Sequence, residues 1–212
     1  FCALEQGELV RVKTNLPGQF SVYNALAAIA CARLLGVPLA DAAAALETSH
    51  GAKGRVEPVP TDGDYSIFID YAVTPDAIEN VLTTLRGIAP KRLVMLFGAG
   101  GDRDRKKRPI MGKLSADIAD FVIVTSDNPR TEDPMSIIEE ILPGVRAGKA
   151  PYKVICDRPE AIRWAIDHHE PGDVILLCGK GHEDYQIIGH EKIHMDEREI
   201  VADYLAERAK RT

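Results

Sequence analysis

Phe121-Val122-Ile123-Val124-Thr125-Ser126-Asp127-Asn128-Pro129-Arg130-Thr131-Glu132-Asp133-Pro134 is the stretch on which the fold turns. Its first four residues are an apolar, β-branched run that reads as a buried strand. Its last two are a helix start, an N-cap aspartate followed by proline at the first helical position. The strand therefore empties into a loop carrying Asp127, Asn128 and Arg130, at the edge where open α/β sheets bind ligands. Pro129 stiffens that loop. An arginine fork grips a carboxylate with two parallel hydrogen bonds, and an asparagine amide both donates and accepts. Together they suit a carboxylate beside an amino group, which is the end of an amino acid. Taken alone, the same four residues also suit a surface turn whose aspartate caps local amides.

The pattern around this stretch is regular. Strands are predicted at Ser66 to Asp70, Arg92 to Phe97, Asp120 to Thr125, Tyr152 to Cys156 and Asp173 to Cys178, with helices from about Pro75, Pro109, Pro134, Arg158 and Glu197. Thr74-Pro75, Asp133-Pro134 and Asp157 followed by Glu160 mark helix starts. Single helices between strands imply α/β architecture: a Rossmann-like, mostly parallel sheet flanked by helices. Tyr185 to Gly189 and Glu191 to Ile193 read as an added hairpin. Upstream, Leu9 to Lys13 alternates like a strand. An alanine-rich, tightly packed helix then runs from Gln19 to about Leu35, and a second from Leu39 to Thr48. His50 to Gly54 is a flexible stretch, which puts a domain boundary between residues 1–52 and 53–212.

Composition narrows the class. The 212 residues are 45% hydrophobic and 27% charged, as in a globular protein of one or two domains, and the net charge of -6 argues against nucleic acid as a partner. Cys2, Cys31, Cys156 and Cys178 show no paired spacing, and Cys31 and Cys178 lie in apolar runs, so buried free thiols in a reducing, cytoplasmic setting are expected rather than disulfides or a zinc site. No apolar stretch is long enough to cross a bilayer, so no membrane role is expected. The start at Phe1 suggests a piece of a longer protein.

The strand ends carry the remaining chemistry. Ile67-Phe68-Ile69 leads to Asp70, a rim carboxylate suited either to a ribose or to a local turn. Met95-Leu96-Phe97 leads to Gly98-Ala99-Gly100-Gly101-Asp102-Arg103, whose glycines allow close approach of a ligand to backbone. Arg103, Arg105, Lys106, Lys107 and Arg108 then crowd a helix N-terminus, where the macrodipole disfavours cations; an anionic ligand would relieve them, while a solvated basic loop balanced by Asp102 and Asp104 suits the lysines better than Arg103 beside the glycines. After Val174 to Cys178 come Gly179-Lys180-Gly181-His182-Glu183, where Glu183 suits an ammonium and the small glycines leave it room. His182 suits a proton carrier or, as the simpler reading, a hydrogen-bonded loop histidine.

Gly54-Arg55-Val56-Glu57, Asp70-Tyr71-Ala72-Val73-Thr74-Pro75-Asp76, Phe97 to Asp104, Asp127-Asn128-Pro129-Arg130 and Gly179 to Gln186 together resemble the Mur ligases, in the same order and over essentially the whole chain. Within that family the resemblance points to the members that add diaminopimelate. It implies an ATP-dependent amide-bond ligase of peptidoglycan synthesis, joining meso-diaminopimelate to the D-glutamate of UDP-N-acetylmuramoyl-L-alanyl-D-glutamate through an acyl phosphate. It also implies that 1–52 is the helical tail of a central ATPase domain and 53–212 the C-terminal, amino-acid-binding domain. The phosphate loop, the Mg2+ ligands and the catalytic residues would then lie in a missing part, so this fragment would be inactive alone and hold no metal site. The expected partners are small molecules, namely meso-diaminopimelate, ATP and the UDP-linked dipeptide, and the expected state is a monomer. By resemblance, Arg103, Asp127, Asn128, Arg130, Gly179 and Glu183 bind diaminopimelate, while Asn24, Arg55 and Asp70 bind ATP. Val73 stands where many relatives have histidine, and Ser21 where asparagine is frequent. Lysine-adding, D-alanyl-dipeptide-adding and folylpolyglutamate synthase-like ligases are the alternatives, together with a non-catalytic nucleotide-binding module. A buried Arg130 left without a distal carboxylate would cost several kcal/mol, which argues for diaminopimelate over lysine.

Overall fold

The computed structural model describes residues 1–211. It divides into two compact units, Phe1–Ala52 and Lys53 onward. In the first, β1 (Cys2–Glu5) and β2 (Glu8–Arg11) form an antiparallel hairpin, followed by α1 (Gln19–Leu34) and α2 (Leu39–Glu47). Their small core joins Ala3, Val12, Ile29, Leu39, Ala42 and Ala43. α1 buries a narrow stripe, Ser21, Ala25 and Ile29, at four-residue spacing. The expectation of a tightly packed helix is corrected accordingly. Tyr23, Leu34 and Leu35 are exposed, and so is Cys31, which lies off the stripe and is not the buried thiol its apolar neighbours suggested. Cys178, by contrast, is fully buried.

The second unit is built on a six-stranded sheet in the order β3-β4-β8-β5-β6-β7: β3 (Glu57–Val59), β4 (Ser66–Asp70), β5 (Leu93–Phe97), β6 (Phe121–Val124), β7 (Tyr152–Val154) and β8 (Val174–Cys178). All neighbours are parallel except the edge pair β3 and β4. The helices α3 (Pro75–Arg86), α4 (Lys107–Ile118), α5 (Pro134–Ala147), α6 (Arg158–Asp167) and α7 (Glu197–Ala209) complete it, with a hairpin of β9 (Tyr185–Ile188) and β10 (Glu191–His194).

Strand side chains alternate between two cores. Leu93, Met95, Phe97, Val122, Val124, Val174 and Leu176 face the side packed with residues of α3, α4 and α5. Val94, Leu96, Ile123, Ile175 and Leu177 face residues of α6 and α7. Both faces are covered, which is why β5 and β8 read as unbroken apolar runs. The helix starts follow the predicted chemistry: Thr74, Asp133 and Asp157 accept hydrogen bonds from the backbone N–H of Ala77, Ser136 and Glu160. Each such cap stabilises its helix by about 1 kcal/mol. α4 begins at Lys107 rather than Pro109 because Asp104 and Arg105 already supply the turn, accepting from the N–H groups of Lys107 and Arg108.

The order of strands positions the functional edge. The chain passes from β4 to β5, builds outward to β7, and returns to insert β8 between β4 and β5. The loops leaving β4, β5, β6 and β8 therefore converge at the carboxyl edge of neighbouring strands. A reversal of strand order of this kind opens a crevice between loops.

Candidate functional site

A pocket of about 380 Å³ occupies that crevice. Tyr71, Val73 and Thr74 come from the loop after β4, and Gly98, Ala99, Gly100, Arg103 and Asp104 from the loop after β5. Asp127, Asn128 and Arg130 follow β6, Gly179 and Glu183 follow β8, and Lys107, Arg108 and Met111 open α4. The six residues assigned to an amino acid, Arg103, Asp127, Asn128, Arg130, Gly179 and Glu183, thus line one cavity. Of the residues assigned to ATP, Asp70 is buried and accepts the Val56 N–H at 2.8 Å, and Arg55 is exposed, its guanidinium 5.4 Å from the Tyr71 ring centre. Neither lines the pocket. Burial pushes the Asp70 carboxyl above its ordinary value, against the pull of the Val56 N–H and the Arg55 charge. Asn24 lies exposed on α1 of the first unit.

Two loops are locked together to form the wall. Gly101 N–H donates to the Asn128 carbonyl at 2.9 Å, and a Cβ on Gly101 would sit 1.8 Å from the Pro129 oxygen, so only glycine fits there. Thr131 donates its hydroxyl to Asp102 at 2.8 Å, and Glu132 accepts the Asp102 N–H at 2.6 Å. Arg130 holds a left-handed backbone, φ 52°, between two hydrogen bonds to the hairpin: its N–H donates to Ile187 and its carbonyl accepts from Gly189. Such a conformation costs of order 1 kcal/mol and persists because its surroundings fix it. It places the half-buried side chain at the glycine loop, where Nη1 donates to the Gly101 carbonyl at 2.7 Å and the residue lines the pocket.

The basic cluster is divided rather than pooled. Arg108 is 1% exposed, donates to both Glu132 oxygens at 2.8 and 2.9 Å, to Glu140 at 2.7 Å and to the Gly100 carbonyl at 3.2 Å. Arg105 pairs with Glu140 as well. For these two arginines the balancing charge is neither a ligand anion nor the nearby Asp102 and Asp104: Glu132 and Glu140, from the next loop and helix, neutralise them. The Arg108 fork and then the Asp102 N–H hold Glu132 down to about 2. Arg103 and Lys107 are exposed at the pocket rim, without a side-chain hydrogen bond or ion pair among the described residues.

The floor of the pocket is anionic. Glu183 Oε2 accepts from Lys180 Nζ at 2.8 Å and from Asn128 Nδ2 at 2.9 Å, and Oε1 from the Tyr71 hydroxyl at 3.3 Å. Burial pushes the Glu183 carboxyl up, but the hydrogen bonds from Lys180 and Asn128 outweigh it and hold it below the ordinary glutamate value. Asn128 is 3% exposed, and its Oδ1 accepts from Lys180 and from the Ile187 N–H. Gly179, φ 115°, is indispensable in a different way: a Cβ there would meet Asp127 Oδ2 at 2.6 Å. Beneath, fully buried Arg158 donates to the carbonyls of Ser126 and Cys178, joining the ends of β6 and β8, and pairs with fully buried Glu197 at 2.9 Å. Lys180, Tyr71 and Arg158 were not singled out from sequence. A lysine between two glycines directly after a buried strand was the one signal that pointed to Lys180. No group of three or more candidate metal ligands occurs among the described residues.

Fold and pocket define an α/β domain with a ligand crevice at its strand-order reversal, cationic at the rim and anionic at the floor. Comparison with known proteins gives the particular family. Residues 54–181 match the model of the Mur ligase, glutamate ligase domain, and the chain belongs to that family. It is 52% identical over 206 residues, 97% of its length, to the UDP-N-acetylmuramoyl-L-alanyl-D-glutamate–2,6-diaminopimelate ligase of Caldanaerobacter subterraneus subsp. tengcongensis. It is 46% identical over 94% of its length to the ligase of the same name from Syntrophomonas wolfei subsp. wolfei. A solved structure of a UDP-N-acetylmuramoyl-L-alanyl-D-glutamate–2,6-diaminopimelate ligase superposes on 98% of the chain with a TM-score of 0.74 and 36% identity. The chain spans 42% of the first of these relatives, 41% of the second and 42% of the solved chain.

Proposed function

We propose that the chain is the carboxyl-terminal part of an ATP-dependent ligase that adds meso-diaminopimelate to the D-glutamate of UDP-N-acetylmuramoyl-L-alanyl-D-glutamate, acting in the cytoplasm on peptidoglycan precursors. The supporting observation is the charge layout of a single pocket: Arg103, Lys107 and Arg130 around the rim, Glu183 and Asp127 at the floor. A molecule with an amino and a carboxyl group at each end matches that layout. In this reading Arg130 and Arg103 hold carboxylate, Glu183 meets the ammonium beside Gly179, and Asn128 and Asp127 shape the wall between them.

Residues 1–52 are then the tail of the central ATP-binding domain and residues 53–212 the amino-acid-binding domain. ATP, held with Mg2+ chiefly by the remainder of the full-length protein, supplies the phosphoryl group that activates the acceptor carboxylate. Arg55 suits a phosphate, being exposed and free of an ion pair among the described residues. Asp70, already held by backbone N–H groups of Val56 and Ala72, would meet a hydroxyl with its remaining acceptor capacity. This chain's own task is positioning: it fixes the incoming amino acid by its far end so that the free amine is presented to the activated carbonyl. The reaction needs an attacking amine without its proton, and the anionic floor keeps the proton of the other amine in place.

The test is phosphate release by the full-length protein with ATP, magnesium and the UDP-linked dipeptide, comparing meso-diaminopimelate with L-lysine. Release with diaminopimelate and not lysine is expected. Release with lysine alone would overturn the reading of Arg130, and release with neither would overturn the reaction.

A further inference from the structure

Lys180 is 0% exposed, yet it carries an ammonium at the floor of the pocket, between Asn128 Oδ1 and Glu183 Oε2, both at 2.8 Å. Its third neighbour is the Tyr185 ring, whose centre is 5.2 Å away. An ammonium has three protons to place, and a carbonyl, a carboxylate and an aromatic face stand around this one. This arrangement settles two orientations that would otherwise be free. Asn128 must turn its oxygen toward Lys180 and the Ile187 N–H, which leaves its NH2 for Glu183. Glu183 must turn Oε2 toward Lys180 and Asn128, which leaves Oε1, with its longer bond from Tyr71, on the pocket side.

We propose that Lys180 is a positioning residue for ammonium recognition: it pins the Asn128 amide and Glu183 Oε2, so that Glu183 Oε1 and the Tyr71 hydroxyl are presented, ionised and oriented, to the amino group of the ligand. The inference rests on the amino-acid-binding reading above and adds a residue that makes no ligand contact of its own. Lys180 also cancels the Glu183 charge while the pocket awaits its ligand, so the carboxylate endures partial burial without taking up a proton. The groups around Glu183 are Lys180 on its own loop, Tyr71 after β4 with the His182 ring 4.9 Å from its own, Asp127 and Asn128 after β6, and Tyr185 at the start of β9 with Arg130 and Asp184 beside it. Both tyrosines are held above their ordinary values, so neither titrates near neutrality.

Removing the ammonium has a directional consequence. Lys180 is the first of the contacts that hold the Glu183 carboxyl down against burial, so removing it moves that carboxyl upward from its place in the wild type. The ionised form then predominates only at higher pH, and ammonium binding is lost as pH falls through the raised value. The experiment is steady-state kinetics of full-length Lys180→Met between pH 5.5 and 9, with the wild type and the Glu183→Gln and double variants alongside. For Lys180→Met we expect KM for meso-diaminopimelate to rise about 10- to 100-fold at neutral pH, the range for losing hydrogen bonds to a charged group. The KM for ATP and kcat should move less than about threefold, and the diaminopimelate KM of the variant should fall more steeply with rising pH than that of the wild type. In the double variant Lys180→Met should add little to Glu183→Gln, because Lys180 acts through that carboxylate.

An unchanged diaminopimelate KM in Lys180→Met would overturn the proposal. So would parallel losses in ATP KM and kcat, or full additivity with Glu183→Gln. If Lys180→Met does not fold, the native protein decides: with 15N-labelled lysine, a buried, slowly exchanging ammonium signal should shift on adding meso-diaminopimelate and not on adding ATP alone, and a signal indifferent to diaminopimelate would refute the inference. A wild-type enzyme that ignores diaminopimelate would overturn the functional reading itself and this inference with it, a result separable from an active wild type with a silent variant.

Discussion

Replacing Arg108 by methionine tests whether the two wall loops are held by charge. The guanidinium, 1% exposed, makes its bidentate pair with Glu132 and single bonds to Glu140 and the Gly100 carbonyl. Breaking a buried pair from one side costs about 3–5 kcal/mol. Here the stranded partners, Glu132 and Glu140, keep 20% and 30% of their side-chain surface and can rehydrate, and methionine refills much of the volume. A loss of about 2–3 kcal/mol is the reasoned figure, between that limit and the worth of individual charge-assisted bonds. At about 2–4 °C per kcal/mol for a unit of this size, Tm should drop by roughly 4–12 °C. The loss is also pH-dependent with a definite sign. Glu132 is depressed from 4.5 to about 2, so its contribution is complete above pH 4.5 and vanishes as pH falls through 2. The assay is thermal unfolding of the wild type and variant from pH 7 down to 2.5. The gap in Tm should be full at pH 7 and shrink below 4.5. An equal gap at pH 7 and pH 3, or none at pH 7, would refute the reasoning.

Three further outcomes are expected. Arg130→Ala should raise KM for meso-diaminopimelate with little change in ATP KM; because the guanidinium is half-buried and already satisfied on one N–H by Gly101, the loss should be about 1.5–3 kcal/mol, or 10- to 150-fold. Unchanged kinetics would remove Arg130 from the site. Gly179→Ala combines an unfavourable φ of 115° with a 2.6 Å clash on Asp127, and should lower amino-acid affinity and stability together by at least about 1–2 kcal/mol, read by calorimetric titration and thermal unfolding; a neutral variant would mean the loop moves freely. Arg158→Leu strands fully buried Glu197, one of whose oxygens already lacks a partner, so unfolding in urea should show a loss of about 3–5 kcal/mol, and Glu197→Gln in the same background should restore part of it.

The strands, their helices and the polar loop after β6 were legible because each leaves a local mark: β-branched runs buried on both faces, and caps spelled Thr-Pro or Asp-Pro. β1 and β3 were missed for the opposite reason. β1 is a four-residue hairpin strand whose apolar residues Cys2, Ala3 and Leu4 run without the alternation that marks a strand, and β3 is a three-residue edge strand interrupted by Pro58. The residues assigned to an amino acid share one pocket because they stand in the loops after strands, a position that periodicity reveals. What sequence did not show was pairing at a distance. Arg108 reads like any member of a basic run until the fold brings Glu132 and Glu140 against it, and Lys180 reads as a surface lysine until β8 is placed in the middle of the sheet. Cys31 failed because apolar neighbours in sequence are not neighbours on one helical face.

The central place of β8 has a consequence for how the second unit is made. β4 and β5 are synthesised well before it, and neither pairs with the other; each hydrogen-bonds to β8 along its whole length. Until Val174 to Cys178 arrives, both strands have an open edge and the two halves of the sheet are tethered only through α3. A nascent chain at this stage offers adhesive edges rather than a finished core, the condition under which chains associate wrongly or need a chaperone. Completion of the six-stranded sheet thus waits on the last of its strands to be made, and the same step that closes the core brings Gly179, Lys180 and Glu183 to the crevice. A chain that has not finished folding therefore has no floor on which to hold its ligand.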